Sequence, residues 1–153
     1  MHLKSCATSR EADRRNQQLR PGRSKELPVF DNPRTLPTWA RAGFHPPTLP
    51  MPYVMSDRGD IVAILWADRN PLHAPPLTKV NNKILWVSKM IPGGPFTPLH
   101  IQATLDGTNQ TVTRQVAGGP GPSIVDLPAA GCWSLNLSWS GHHDHLSLRY
   151  SAS

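Results

Sequence analysis

The stretch from Gly131 to Tyr150 confines this chain to a narrow set of folds. Trp133, Leu135, Leu137 and Trp139 alternate with Cys132, Ser134, Asn136 and Ser138. That strict period of two gives a strand one apolar face and one wet face. Further on, Leu146, Leu148 and Tyr150 alternate with His145, Ser147 and Arg149. The segment therefore reads as a strand, a polar turn around Gly141-His-His-Asp144, and a second strand.

The same pattern recurs upstream. Strands are predicted over Tyr53–Met55, Asp60–Trp66, Lys83–Lys89, Pro98–Leu105, Thr111–Ala117, Ser123–Asp126, Cys132–Ser140 and His145–Ser151. Turn-forming residues separate them, among them Asp57-Arg-Gly59, Asn81-Asn82, Asp106-Gly107 and Gly118-Gly-Pro-Gly-Pro122. Asp106-Gly107 between two alternating runs is a hairpin signal. The 17 prolines argue against a helical bundle, because proline removes a backbone donor and breaks helix interiors. Many short strands at this spacing predict an all-β, antiparallel sandwich.

Charge divides the chain further. Of the net +6, residues 1–41 carry +5, with nine Lys/Arg against four acids. Residues 1–27 are polar, lack an apolar stripe and are expected to form a disordered basic tail. Residues 28–52 hold seven prolines and read as an extended strap anchored by Trp39 and Phe44. Residues 53–153 form the sandwich. No aromatic residue lies among the tail charges before Phe30 to stack on a base, so no nucleic-acid partner is expected. The longest apolar run, Ile61 to Ala67, falls far short of the ~18–20 residues that span a membrane. No signal peptide is visible at the N-terminus as given. Leu3-Lys-Ser-Cys6 has the outline of a bacterial lipobox, with Lys4 departing from it; if Cys6 carries lipid, the chain meets a membrane there and residues 7–36 are a tether.

Asp126-Leu-Pro-Ala-Ala-Gly-Cys-Trp-Ser-Leu135 resembles the approach to the penultimate strand of immunoglobulin-like domains. Gly131, Trp133 and Leu135 occupy that pattern's glycine, aromatic and core places. Trp133 stands where tyrosine is usual, and Leu135 stands where the inter-sheet cysteine would be. Trp86 is a candidate for the tryptophan at the sandwich centre. The resemblance covers roughly residues 53–151 and implies an immunoglobulin-like β-sandwich. A second, looser likeness joins Leu36-Pro-Thr-Trp-Ala-Arg-Ala-Gly-Phe44, Asp57-Arg-Gly-Asp60, Asn82-Lys-Ile-Leu-Trp-Val87 and Gly118-Gly-Pro-Gly-Pro-Ser123. With Gly131-Cys-Trp133, it resembles uncharacterised actinobacterial proteins that are exported or lipid-anchored. It implies an extracytoplasmic or cell-surface location and no activity.

Chemistry-bearing residues are sparse. His142, His143, Asp144 and His145 form the one cluster with metal-ligand character, and imidazole with carboxylate suits a weak site for zinc or copper. In such a segment His143 and His145 reach one side together with Asp144 opposite, and His100 or His73 would supply a further ligand. Exposed histidines in a polar turn need no metal to explain them. Arg58-Gly59-Asp60 is the tripeptide that integrins read, and it also serves as an ordinary turn before a strand. Cys132 has no neighbouring Lys or Arg to activate a thiolate, and a bridge to Cys6 is open but not indicated. None of the common catalytic motifs is present. The expectation is a non-enzymatic binding or structural module with no resident cofactor and an unknown protein partner; the competing expectation is a metal-handling protein using His142–His145.

Overall fold

A computed structural model of the protein describes residues 34–41, 43–48, 50–65, 72–90 and 96–153. Strands are numbered β1 to β11 in chain order. One sheet has the order β5 (Leu72–Ala74), β11 (His142–Ala152), β10 (Gly131–Trp139), β7 (Leu99–Leu105) and β8 (Thr111–Val116). The other has the order β3 (Tyr53–Met55), β4 (Ile61–Leu65), β6 (Lys83–Ser88) and β9 (Pro122–Ile124). Pairing is antiparallel except for β5, which runs parallel to β11. The chain is all-β, with two sheets face to face.

Alternation decides what lies between the sheets. From the five-stranded sheet come Leu99, Ile101, Ala103, Trp133, Leu135, Leu137, Trp139, Leu146, Leu148 and Tyr150. From the other sheet come Ile61, Ala63, Leu65, Ile84 and Trp86. Each large side chain removed from water contributes about 1.5–3 kcal/mol, set against the entropy of ordering it. The indole Nε1 of Trp86 donates to Ser123 Oγ at 3.2 Å, and that of Trp133 to the Ala129 carbonyl at 2.9 Å. The polar end of each ring is thereby satisfied without breaking the apolar layer.

β4 has all five residues buried. Its odd-numbered residues face the sandwich, whereas Val62 and Ile64 join a second cluster with Leu36, Ala40 and Tyr53. Trp39, Phe44 and Met51 pack against that cluster. The segment before β3 supplies these side chains through a two-stranded pair, β1 (Arg34–Thr35) with β2 (Pro50–Met51), and a 3-10 turn at Thr38–Ala40. Arg34 stacks on the Tyr53 ring, 4.3 Å from its centroid, and donates to the Tyr53 carbonyl at 2.9 Å. The outer face of the small sheet is thus covered, and the outer face of the large sheet is the one that meets water.

The turn expected around Gly141–Asp144 lies elsewhere. β10 and β11 are joined by Ser140 and Gly141, with φ of 45° and 78°, and Trp139 pairs with His142. Two successive positive φ values are what a two-residue hairpin loop requires to match strand twist. His142–Asp144 are therefore strand residues, and β11 begins three residues before the predicted start. β5 has no counterpart among the predicted strands, because three residues followed by Pro75 carry no readable period. Cys6, the predicted tail at 1–27, Phe30 and Trp66 lie outside the described residues.

Candidate functional site

Three adjacent strands at the centre of the large sheet build its outer face in rungs. His100, Ser138 and His143 form one rung across β7, β10 and β11. Gln102, Asn136 and His145 form the next, and Thr104, Ser134 and Ser147 the third. Across-strand neighbours in such a rung lie about 5 Å apart and rungs about 7 Å apart. Between the first two rungs the surface sinks into an open depression of about 250 Å³, lined by His100, Gln102, Thr113, Asn136, Ser138 and His143 among others. His100, Gln102, Thr113, Asn136 and His143 are exposed.

No outward-facing position of β5, β7, β8, β10 or β11 carries an acid. Among the described residues, carboxylates occur only at the margins of this face, where face residues engage them. His145 Nδ1 lies 3.0 Å from Asp57 Oδ2, and Ser134 Oγ donates to Asp106 Oδ1 at 2.8 Å. Arg149 is outward and exposed on β11. The Arg114 guanidinium is taken up by the Asp126 and Thr113 carbonyls.

The His142–His145 run is split by the strand it belongs to. His143 and His145 project from the outer face, while His142 and Asp144 take the inner parity of Leu146 and Leu148. The His142 ring lies tilted beside Trp139, with centroids 5.7 Å apart. Asp144 is 7% exposed and its oxygens are occupied. Oδ2 accepts from Ser56 Oγ at 2.6 Å and the Asp60 amide at 3.3 Å; Oδ1 accepts from the Arg58 amide at 3.0 Å and the His145 amide at 2.8 Å. A buried carboxylate that receives this many donors is satisfied as a hydrogen-bond acceptor. Among the described residues no three His, Cys, Asp or Glu side chains are gathered as a metal site.

Asp144 also explains Arg58-Gly59-Asp60. Two of the three amides it holds belong to that tripeptide, and Gly59 at φ 77° closes the turn between β3 and β4. The motif is a clamped turn tied to the end of the sandwich. Cys132, on the outer face at the far end of β10, is disulfide-bonded and so unavailable as a nucleophile. The chain's other cysteine is Cys6, outside the described residues.

Two buried polar residues escape a reading of the sequence as turns. Asn82 Nδ2 donates to the His73 carbonyl and to Asp126 Oδ1, both at 2.8 Å, and Oδ1 accepts the His73 amide at 2.8 Å. It fastens β5 to the approach of β10, and a turn-like Asn81-Asn82 gives no hint of that. Asp144 does leave a signal: a carboxylate in phase with Leu146, Leu148 and Tyr150 must find donors inside. Tyr150 itself donates to the Val125 carbonyl at 2.7 Å. Burial, with Asp126 nearby, pushes its phenol far above the ordinary value, against a smaller lowering by Arg114. No helix among the described residues is long and apolar enough to cross a membrane.

Compared with known proteins, the chain matches no family model, no curated protein and no solved structure.

Proposed function

We propose that this chain is a non-enzymatic binding module of immunoglobulin-like type, carried outside the cytoplasm, that meets its ligand through the outer face of the five-stranded sheet. One observation carries the reading. On the outer face of the large sheet, hydrogen-bonding side chains from four strands surround a depression, and none of them is needed by the core. By contrast, Asp144 and Asn82 are committed to internal bonds.

Strand order supports the fold part of the proposal. β4, β6 and β9 take the places of strands A, B and E of an immunoglobulin-like sandwich, and β7, β10 and β11 those of C, F and G. Trp133 opens the strand in the F position and donates back to Ala129, four residues upstream. The indole thereby does what the phenol of a tyrosine corner does. Trp86 comes from the strand in the B position, so the central tryptophan is supplied by the opposite sheet from the usual one.

The test is retention of the full-length protein by an insoluble cell-envelope fraction, beside a His100→Ala/Asn136→Ala/His143→Ala variant. Retention should fall at least about tenfold while the melting temperature stays put, since exposed positions away from core features change stability by about 0.5 kcal/mol or less. Equal retention of parent and variant would sink the proposal.

The competing reading is a metal-handling protein working through His142–His145. It draws on the shared outer face of His143 and His145. Calorimetry with zinc and copper on the full chain and on a His143→Ala/His145→Ala variant separates the two: tight one-site binding that the variant loses favours metal handling.

A further inference from the structure

Resting on that reading, we infer that the ligand is an acidic polysaccharide: linked hydroxyl-bearing sugar rings with carboxylate groups, laid across the rungs of β7, β10 and β11. Three features of the face select this chemistry. Gln102 and Asn136 each offer two donors and an acceptor, and Ser138 and Thr113 each offer a hydroxyl that does both. Sugar hydroxyls are likewise donors and acceptors, and these groups match them. The absence of acids from the outward positions leaves Asp57 and Asp106, both at the margins, as the carboxylates near a bound anion among the described residues. His73, His100, His143, His145 and Arg149 are the outward groups able to carry positive charge, and of these His145 is already engaged by Asp57.

Size points to a polymer. The depression, about 250 Å³, lies just under the roughly 300–1,000 Å³ of sites that enclose a whole small ligand, and it is open. It suits one segment of a chain that continues over neighbouring rungs. A nucleic acid fits the face less well. No Phe, Tyr or Trp projects from the outward positions to stack a base, and Arg149 is the sole outward Lys or Arg on these strands, whereas phosphate backbones call for several.

Affinity electrophoresis of the full-length protein tests this with three probes: polygalacturonate, its methyl ester and duplex DNA. Polygalacturonate should retard the protein, and the ester should do so at least tenfold more weakly. Asn136→Ala and His143→Ala should each reduce retardation severalfold. Asn136→Asp, which adds a carboxylate with little change of shape, should abolish it. An Arg14→Ser/Arg15→Ser variant controls for polyanion capture by the basic residues 1–41, and should behave as the parent. If the ester binds as well as the acid and the same face variants lose both, the acidic class is wrong while the binding face stands. If polygalacturonate or DNA binding follows Arg14 and Arg15 and ignores the face, the inference is overturned. Absence of binding to all three probes also overturns it, and envelope retention then decides separately whether the face binds anything.

Discussion

The two faces of β10 and β11 are one residue apart in sequence and opposite in what they tolerate. The inner face holds Trp133, Leu135, Leu137 and Leu148, each at most 1% exposed, and closes at its end on Asp144. The outer face holds Asn136, Ser138 and His143, whose side chains make no contact the sandwich depends on. On the inner face each side chain is fixed by volume or by a hydrogen bond that must be made, so chemistry there is spent on folding. The outer face is free to vary, so the hydrogen-bonding groups gathered on it are where recognition is to be sought.

The sharpest way to break that contrast is to damage the inner face. Trp133→Ala removes a fully buried indole and should cost about 3–5 kcal/mol in a denaturant melt, enough to unfold a marginal domain. Trp133→Phe keeps most of the ring but leaves the Ala129 carbonyl without its donor, and should cost about 1–3 kcal/mol. If both variants melt like the parent, the corner bond and the packing around it are not what holds β10.

Asp144→Ala comes next, at about 2–4 kcal/mol, because Ser56, Arg58, Asp60 and His145 all lose the buried carboxylate that accepts from them. Hydrogen exchange should show the loss locally, as faster exchange of the Arg58 and Asp60 amides. Unchanged protection there would mean that the turn holds itself. Gly131→Ala is smaller, about 1–2 kcal/mol. Its φ of 136° suits glycine, and a Cβ would fall 2.8 Å from Leu105 Cδ1, the movable end of a flexible side chain.

Tyr150 sharpens the comparison through pH. Its phenol is held neutral in the fold, whereas in the unfolded chain it ionises above pH about 10. The contribution is therefore fully present below about pH 10 and is lost as pH rises toward the folded value, by about 1.4 kcal/mol per pH unit. Tyr150→Phe should cost about 1 kcal/mol at pH 8, where the bond to Val125 is lost. It should gain on the parent at pH 11. Parallel stability curves for the two proteins from pH 8 to 11 would show that the phenol is not buried as described.

How much of this is legible in the sequence follows the same division. Alternation alone places Trp133, Leu135, Leu137 and Trp139 inside, because period two is a local property and the core is its direct consequence. The loop residues Ser140-Gly141 blur into the histidine run, since polar residues suit a turn and an outer face equally well. β5 escapes because its parallel partner lies about eighty residues away in β11, and no local pattern records a distant pairing. The depression on the outer face is of the same kind. His100, Asn136 and His143 belong to three strands, and only register brings them onto neighbouring rungs.

The smallest stability effect carries the most weight for function. Asn136→Ala and His143→Ala should each move the folding free energy by about 0.5 kcal/mol or less, since both side chains are exposed and neither bridges the sheets. Asn136 sits opposite Gln102 and His145, and His143 opposite Ser138, so each change removes a cross-strand neighbour worth a few tenths of a kcal/mol. Chemical denaturation with an unchanged slope checks this. A loss above about 1.5 kcal/mol would mean that the outer face helps hold the fold, and the imidazoles and amides gathered there would then need no ligand to account for them.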